Sequence, residues 1–365
     1  MPHRRGFLKA MAGASGVVAA GCSLLDAAGQ SKQGAAGNRR KVTLGGRRVQ
    51  TVDIHAHCVV PEALTLMRMP SGSSARWDNP QLTIGPDRLR VMDEQGIDVE
   101  ALSINPFWYE AERDVARQLV QLQNEKLAAL CATYPDRFVA FASVALQHPD
   151  LAAQQLEDGK KLGLRGAAIG GHVNGEEISA PRFDPFWAKA EELGAPIFIH
   201  PQGIPELQKR LQGNGYLSNV IANPLETTIA LSHLIFDGTL DRFPGLKICA
   251  AHGGGYLPSY SARSNHGCAT SPADCNPASP KKHPSEYLRQ LYFDSLVFTP
   301  EALRHLVAEC GASQIVMGTD WPFPWTTTAV DHILNAPGLS VDEKRAMLGG
   351  TASKLLGIGT LPKQG

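Results

Sequence analysis

The sequence predicts an α/β protein of the (β/α)8 TIM-barrel class. Three observations carry that prediction. Short apolar runs alternate with amphipathic ones through most of the chain, which is the pattern of strands followed by helices. No glycine fingerprint follows the first run, so an open dinucleotide-binding sheet is disfavoured. Histidine or aspartate recurs at the ends of these runs, where a barrel of this kind gathers its catalytic groups.

Taken in order, residues 1–30 stand apart from the fold. His3-Arg4-Arg5-Gly6-Phe7-Leu8-Lys9 and the mild apolar stretch after it read as a twin-arginine export signal. Export would place the protein in the periplasm. Ala19-Ala20-Gly21-Cys22 has the form of a lipoprotein cleavage box, so Cys22 is a candidate lipid anchor. Residues 31–46, rich in Gly, Ala and Ser at their start, read as a linker, and 47–360 as the barrel domain. Strands are expected at 51–57, 99–105, 138–144, 165–171, 196–201, 247–253, 291–298 and 315–321. Helices are expected at 86–95, 111–134, 149–162, 183–193 and 223–237. Thr299-Pro300-Glu301 is a helix start, and Ser340-Val341-Asp342-Glu343 has the form of a capping box. Past the first residues, no run is long and apolar enough to span a bilayer.

At 365 residues the chain fits one barrel with insertions, and 43% hydrophobic residues supply ample core. Thirty-five basic and thirty-five acidic residues cancel, which argues against a sequence-independent nucleic-acid binder. Six cysteines remain after Cys22, none in CxxC spacing, so a cysteine zinc site is not expected. Cys131, Cys249 and Cys310 fall in helical or strand patterns and read as buried thiols, and Cys58 as a packed one. If the chain is exported, Cys268 and Cys275 are candidates for a local disulfide.

The strand ends carry the chemistry. Side chains at i and i+2 of a strand share a face, so His55 and His57 project together. Strand five ends in His200, strand six in His252 and strand eight in Asp320. Imidazoles and a carboxylate converging at one end of a barrel suit a divalent cation such as zinc or manganese. His172 follows strand four in GGHVNG and is a candidate substrate contact. His148, His283, His305 and His332 read as solvated, and His233 as a packed helix residue.

The motifs VDIHAH, IGGHVNG, FIHP, NPLETTIA, RFPGLKICAAHGGG and MGTDWPFP resemble the amidohydrolase superfamily. The resemblance is closest to its branch containing aminocarboxymuconate semialdehyde decarboxylase and γ-resorcylate decarboxylase, and it covers 51–357. It implies one divalent metal, zinc first and manganese second, held by His55, His57, His200 and Asp320. It also implies His252 as the acid/base group, with Asp320 sharing in proton transfer. Members with two metals carry a bridging lysine at the end of strand four; Ala168-Ile169-Gly170-Gly171 has none, which favours a single ion. Arg263 stands where the branch carries a carboxylate-binding arginine that reaches the neighbouring subunit's site, implying a homodimer. Asn219, Trp321 and Phe323 are further candidate substrate contacts. A second carboxylate-binding arginine of the semialdehyde decarboxylase finds no match in Arg68 or Arg76.

The implied activity is non-oxidative decarboxylation of an aromatic or unsaturated carboxylic acid. A hydrolase of an amide, ester or lactone would use the same metal and histidine. A non-catalytic metal- or ligand-binding protein is a third alternative, although simple binding needs no proton shuttle.

Overall fold

The computed structural model describes residues 39–67, 79–275 and 280–359. The proposed signal, Cys22, the first half of the linker, Arg68 and Arg76 lie outside them. Eight parallel strands form the centre: β1 Val52–His57, β2 Val99–Ser103, β3 Phe138–Ala140, β4 Ala167–Gly170, β5 Pro196–His200, β6 Lys247–Ala250, β7 Tyr292–Asp294 and β8 Ile315–Val316. β1–β3 pair in order, and so do β4–β8. Two parallel bridges join these groups, Ala142 with Ala167 and Ala56 with Trp321, so the sheet closes.

Two apolar layers hold the barrel. Inside, Val52, Ile54, Val99, Ala101, Phe141, Phe198, Cys249 and Val316 pack on one another. Outside, the opposite faces of the strands meet the helices, with Trp108, Trp187, Phe186 and Tyr287 fully buried. Ala352, Leu355 and Leu356 of the last helix, Thr351–Leu356, join the inner layer and cover the end where the strands begin. Thr299 and Ser340 cap their helices as expected, Ser340 in a reciprocal pair with Glu343. Cys268 and Cys275 are bonded to each other.

One register shift matters for the site. β1 runs in step with β2 at Val52 and Asp53, slips, and resumes at Ala56. Val52 and Ile54 fill the interior before the slip, while His55 and His57 face it afterwards. A bulge thus moves the inward face from even to odd positions. Simple alternation along TVDIHAH places the two histidines together but would set Ile54 on the opposite face.

Candidate metal centre

The barrel brings four of the expected residues to one point. His55 and His57 close β1, His200 closes β5, and Asp320 follows β8. One nitrogen or oxygen from each lies within 4.8 Å of the other three, and all four residues are buried. His55 Nε2 is 3.0 Å from His57 Nε2, and Asp320 Oδ1 is 3.2 Å and 2.9 Å from these two atoms.

Outer hydrogen bonds decide which nitrogens face inward. His55 Nδ1–H donates to Asp294 Oδ2 at 2.6 Å. Ser103 Oγ donates to the Ala56 carbonyl and lies 3.1 Å from His57 Nδ1, so its lone pair accepts that ring's N–H. Both Nε2 lone pairs are thereby aimed at each other and at a carboxylate. Such a cluster repels itself unless a positive charge sits in it. Burial opposes a proton on His55, yet the Asp320 charge and hydrogen bonds to Asp294 and Asp320 raise its pKa to about 10. His200 goes the other way. Burial and the neighbouring imidazoles hold it well below the usual value, which leaves a neutral ring with lone pairs to offer. Burial would raise the Asp320 carboxyl, but the His55 charge and bonds from three imidazoles hold it far below the usual range. The donor set fits a divalent ion, since the edge of a tetrahedron with bonds of about 2.0–2.1 Å is about 3.3 Å.

His252 stands outside this set, with its Nε2 3.7 Å from Asp320 Oδ2 and its buried Nδ1 without a hydrogen-bond partner. Its φ is +55° and that of Asp320 is +61°, a left-handed conformation uncommon for residues other than glycine. Asp294 holds the first of these turns by accepting the N–H groups of His252 and Gly253 at 2.9 Å and 2.8 Å. One buried carboxylate therefore fixes both His55 and the turn that carries His252. Its charge is kept mainly by His55, which outweighs burial and lowers its pKa.

The amidohydrolase family pattern matches residues 52–358, the whole barrel. The chain belongs to the amidohydrolase family. It is 34% identical over 278 residues to a 2-amino-3-carboxymuconate-6-semialdehyde decarboxylase of Dictyostelium discoideum, covering 75% of this chain and 77% of that one. It is 33% identical over 267 residues to a γ-resorcylate decarboxylase of Rhodococcus jostii, covering 68% and 80%. A crystal structure of a dihydroxybenzoic acid decarboxylase from Polaromonas sp. JS666, with bound manganese and 2-nitroresorcinol, superposes with a TM-score of 0.75. That pair shares 28% identity over 85% of this chain and 97% of the other.

In this amidohydrolase a cavity of about 1150 Å³ opens above the centre, with His200 and Asp320 in its floor. Asn219 and Phe323 line it, and the Phe323 ring lies 5.7 Å from that of His57. The other three expected contacts are placed elsewhere. His172 is held by backbone: its Nε2 donates to the Gly203 carbonyl and its Nδ1 accepts the Gly175 N–H. Trp321 is half-buried and forms, with Ala56, the bridge that closes the barrel. Arg263 is exposed on the helix Leu257–Thr270.

Three residues of the amidohydrolase site escaped the sequence reading. Asp294 ends β7, a strand for which the sequence offers no candidate site residue. Gln202 lines the cavity two residues after His200, and its buried side-chain nitrogen has no hydrogen-bond partner. A Cβ at Gly170 would lie 1.9 Å from that nitrogen, so a side chain there would push the Gln202 amide out of this position. Glu226 of the NPLETT motif accepts the backbone N–H groups of Gln202, at 2.8 Å, and of Gly203, fixing the start of the cavity wall. Burial pushes its carboxyl up to about 7.

Proposed function

We propose that this amidohydrolase is a metal-dependent, non-oxidative decarboxylase of an aromatic or unsaturated carboxylic acid. The observation that carries this reading is a histidine, His252, kept out of the four-residue ligand set but beside it. It occurs in a chain whose relatives at 33–34% identity are decarboxylases. His55, His57, His200 and Asp320 hold one divalent ion, zinc in the first place and manganese in the second. The manganese in the Polaromonas relative supports the second choice as well as the site. The ion supplies positive charge that draws in the substrate's oxygens and stabilises electron density building at the reacting carbon.

The chain's own residues do the rest. Gln202, Phe323 and Asn219 line the space in which the substrate's ring lies. As the bond between the ring carbon and the carboxylate breaks, its electron pair stays on that carbon and CO₂ leaves. His252 donates the proton that the carbon then takes, and recovers one from solvent as product departs. Arg263 binds a substrate carboxylate in the neighbouring subunit of a homodimer, and an arginine suits that task because its guanidinium meets both oxygens. Trp321 and His172 support the walls. The Arg4-Arg5 signal sends the protein to the periplasm, where Cys22 is the candidate lipid anchor.

The test is CO₂ release. Metal-replete protein is screened against hydroxylated benzoic acids, unsaturated diacids and lactones, with CO₂ measured directly. Release of CO₂ from an acid, lost at least 100-fold in His252→Ala with metal content unchanged, is expected. Lactone opening without any CO₂ would replace this reading with a hydrolase.

A further inference from the structure

The cavity is larger and differently furnished than a single-ring acid requires. Its volume, about 1150 Å³, exceeds the roughly 300–1,000 Å³ of pockets that bury drug-sized ligands. The metal centre occupies only the floor. Above it the walls are neutral: amides such as Gln208, Gln212 and Asn219 line them, and no lysine or arginine does so among the described residues.

The mouth is aromatic. Tyr216 and Trp325 both line the cavity, from the segments after β5 and β8, with ring planes 8° from parallel and centroids 6.3 Å apart. Phe298, from the segment after β7, lies 6.2 Å from Trp325. Tyr216 is 62% exposed and Phe298 56% exposed, so these rings are not core. An exposed cluster of large aromatics contributed by three separate segments is the informative kind of exception on a protein surface. The chain also holds the cluster in place at some conformational cost. Tyr216 sits at φ +54°, directly after Gly215 at +91°. Trp325 is tied to the metal aspartate by two consecutive backbone bonds, Phe323 N–H to the Asp320 carbonyl and Trp325 N–H to the Phe323 carbonyl.

From these observations, and resting on the decarboxylase reading, we infer that Tyr216 and Trp325 form a distal stacking subsite. It accepts the second ring of a two-ring aromatic carboxylic acid whose linking and ring substituents are neutral hydroxyl, ether or amide groups. The reacting ring lies on the floor beside His252, the amides read the neutral substituents, and the outer ring meets the faces of Tyr216 and Trp325.

The experiment compares salicylate with its 4-phenoxy derivative, measuring affinity by calorimetry and CO₂ release in parallel on the metal-replete protein. The two-ring acid is expected to bind about tenfold tighter, equivalent to about 1.4 kcal/mol. Tyr216→Leu and Trp325→Leu should each remove most of that advantage while changing salicylate affinity less than about twofold. Equal affinity for the two acids, no binding of the two-ring acid at millimolar concentration, or equal weakening of both acids in the variants overturns the subsite. A change in oligomeric state on Tyr216→Leu, with binding unaltered, also overturns it and assigns the aromatics to a subunit contact. Ring selectivity that persists with no CO₂ from either acid leaves the subsite standing and removes the decarboxylase reading instead.

Discussion

Asp294 is the residue on which the centre depends most without touching the ion. It orients His55 through Nδ1, holds the left-handed turn at His252, and accepts the Leu296 N–H at 3.1 Å. Asp294→Asn keeps the shape but replaces a charged acceptor by a neutral amide, so His55 becomes a poorer ligand. Metal affinity should fall about 10- to 100-fold, the usual effect of losing such a partner. His252→Ala, by contrast, should keep its metal, and dialysis against a chelator followed by metal analysis separates the two variants. The charge balance gives a second prediction. With no ion bound, His55 keeps its proton up to about pH 10, because Asp320 and Asp294 face it. The ion needs that nitrogen's lone pair, so proton and metal compete, and affinity must rise with pH below that value. About one proton per ion should be released at pH 8, with affinity changing about tenfold per pH unit between pH 6 and 9. Calorimetry in buffers of different ionisation enthalpy measures this; uptake without proton release would show that His55 is already neutral. The ligands themselves were legible in the sequence, because they stand at the ends of three apolar runs, with His252 at the end of a fourth. Asp294 and Ser103 were not, since their bonds to the histidines span 239 and 46 positions. The one available signal was an aspartate, Asp294, inside the apolar run 291–298.

The elements are shorter than the sequence suggests, and the reason lies in the site. Apolar composition continues through 291–298 and 315–321, but β7 stops at Asp294 and β8 at Val316. Beyond those points the backbone turns to aim side chains at the metal centre, and only isolated backbone bonds carry the pairing on. The seam between β1 and β8 shows this well. Ile54 N–H donates to the Met317 carbonyl, Asp320 N–H to the His55 carbonyl and His57 N–H to the Trp321 carbonyl. Asp53, buried in β1, accepts from Thr319 through both its N–H, at 3.1 Å, and its Oγ, at 2.5 Å. Burial and the nearby Glu100 charge push its carboxyl up to about 7, so each donor helps to keep its charge. Thr319→Val deletes one donor at constant shape. The expected cost is about 1–3 kcal/mol of stability, that of leaving a buried acceptor short of a partner. Metal affinity should fall in parallel, because three of the four ligands flank this seam. Chemical denaturation of metal-free and metal-replete protein measures both. A variant as stable as the parent would show that Asp53 is already protonated there.

At the scale of the molecule, the βα alternation made the closed barrel legible, whereas the segment 204–221 has no periodicity to read, and only Asn219, through the resemblance, pointed to its place in the cavity wall. How copies associate lies further still from any single-chain pattern, and it bears on Arg263. The helix Leu257–Thr270 begins just beyond the turn at His252, yet it carries Arg263 exposed and away from the lining of its own cavity. If the proposed homodimer uses this arginine in trans, each site needs His252 from one subunit and Arg263 from the other. His252→Ala and Arg263→Ala would then each inactivate a homodimer for different reasons. Subunit exchange in an equal mixture places about half of the chains in heterodimers, and each heterodimer has one complete site. The mixture should therefore recover about a quarter of the wild-type rate, at a pace set by exchange, although neither parent is active. Arg263→Lys in place of Arg263→Ala should recover no less, because the complete site of each heterodimer takes its native arginine from the His252→Ala chain, whereas the Arg263→Lys homodimer alone should stay weak, since a lysine cannot grip a carboxylate at two points. If Arg263 instead serves its own subunit, every site in the mixture lacks one group or the other, and mixing restores nothing.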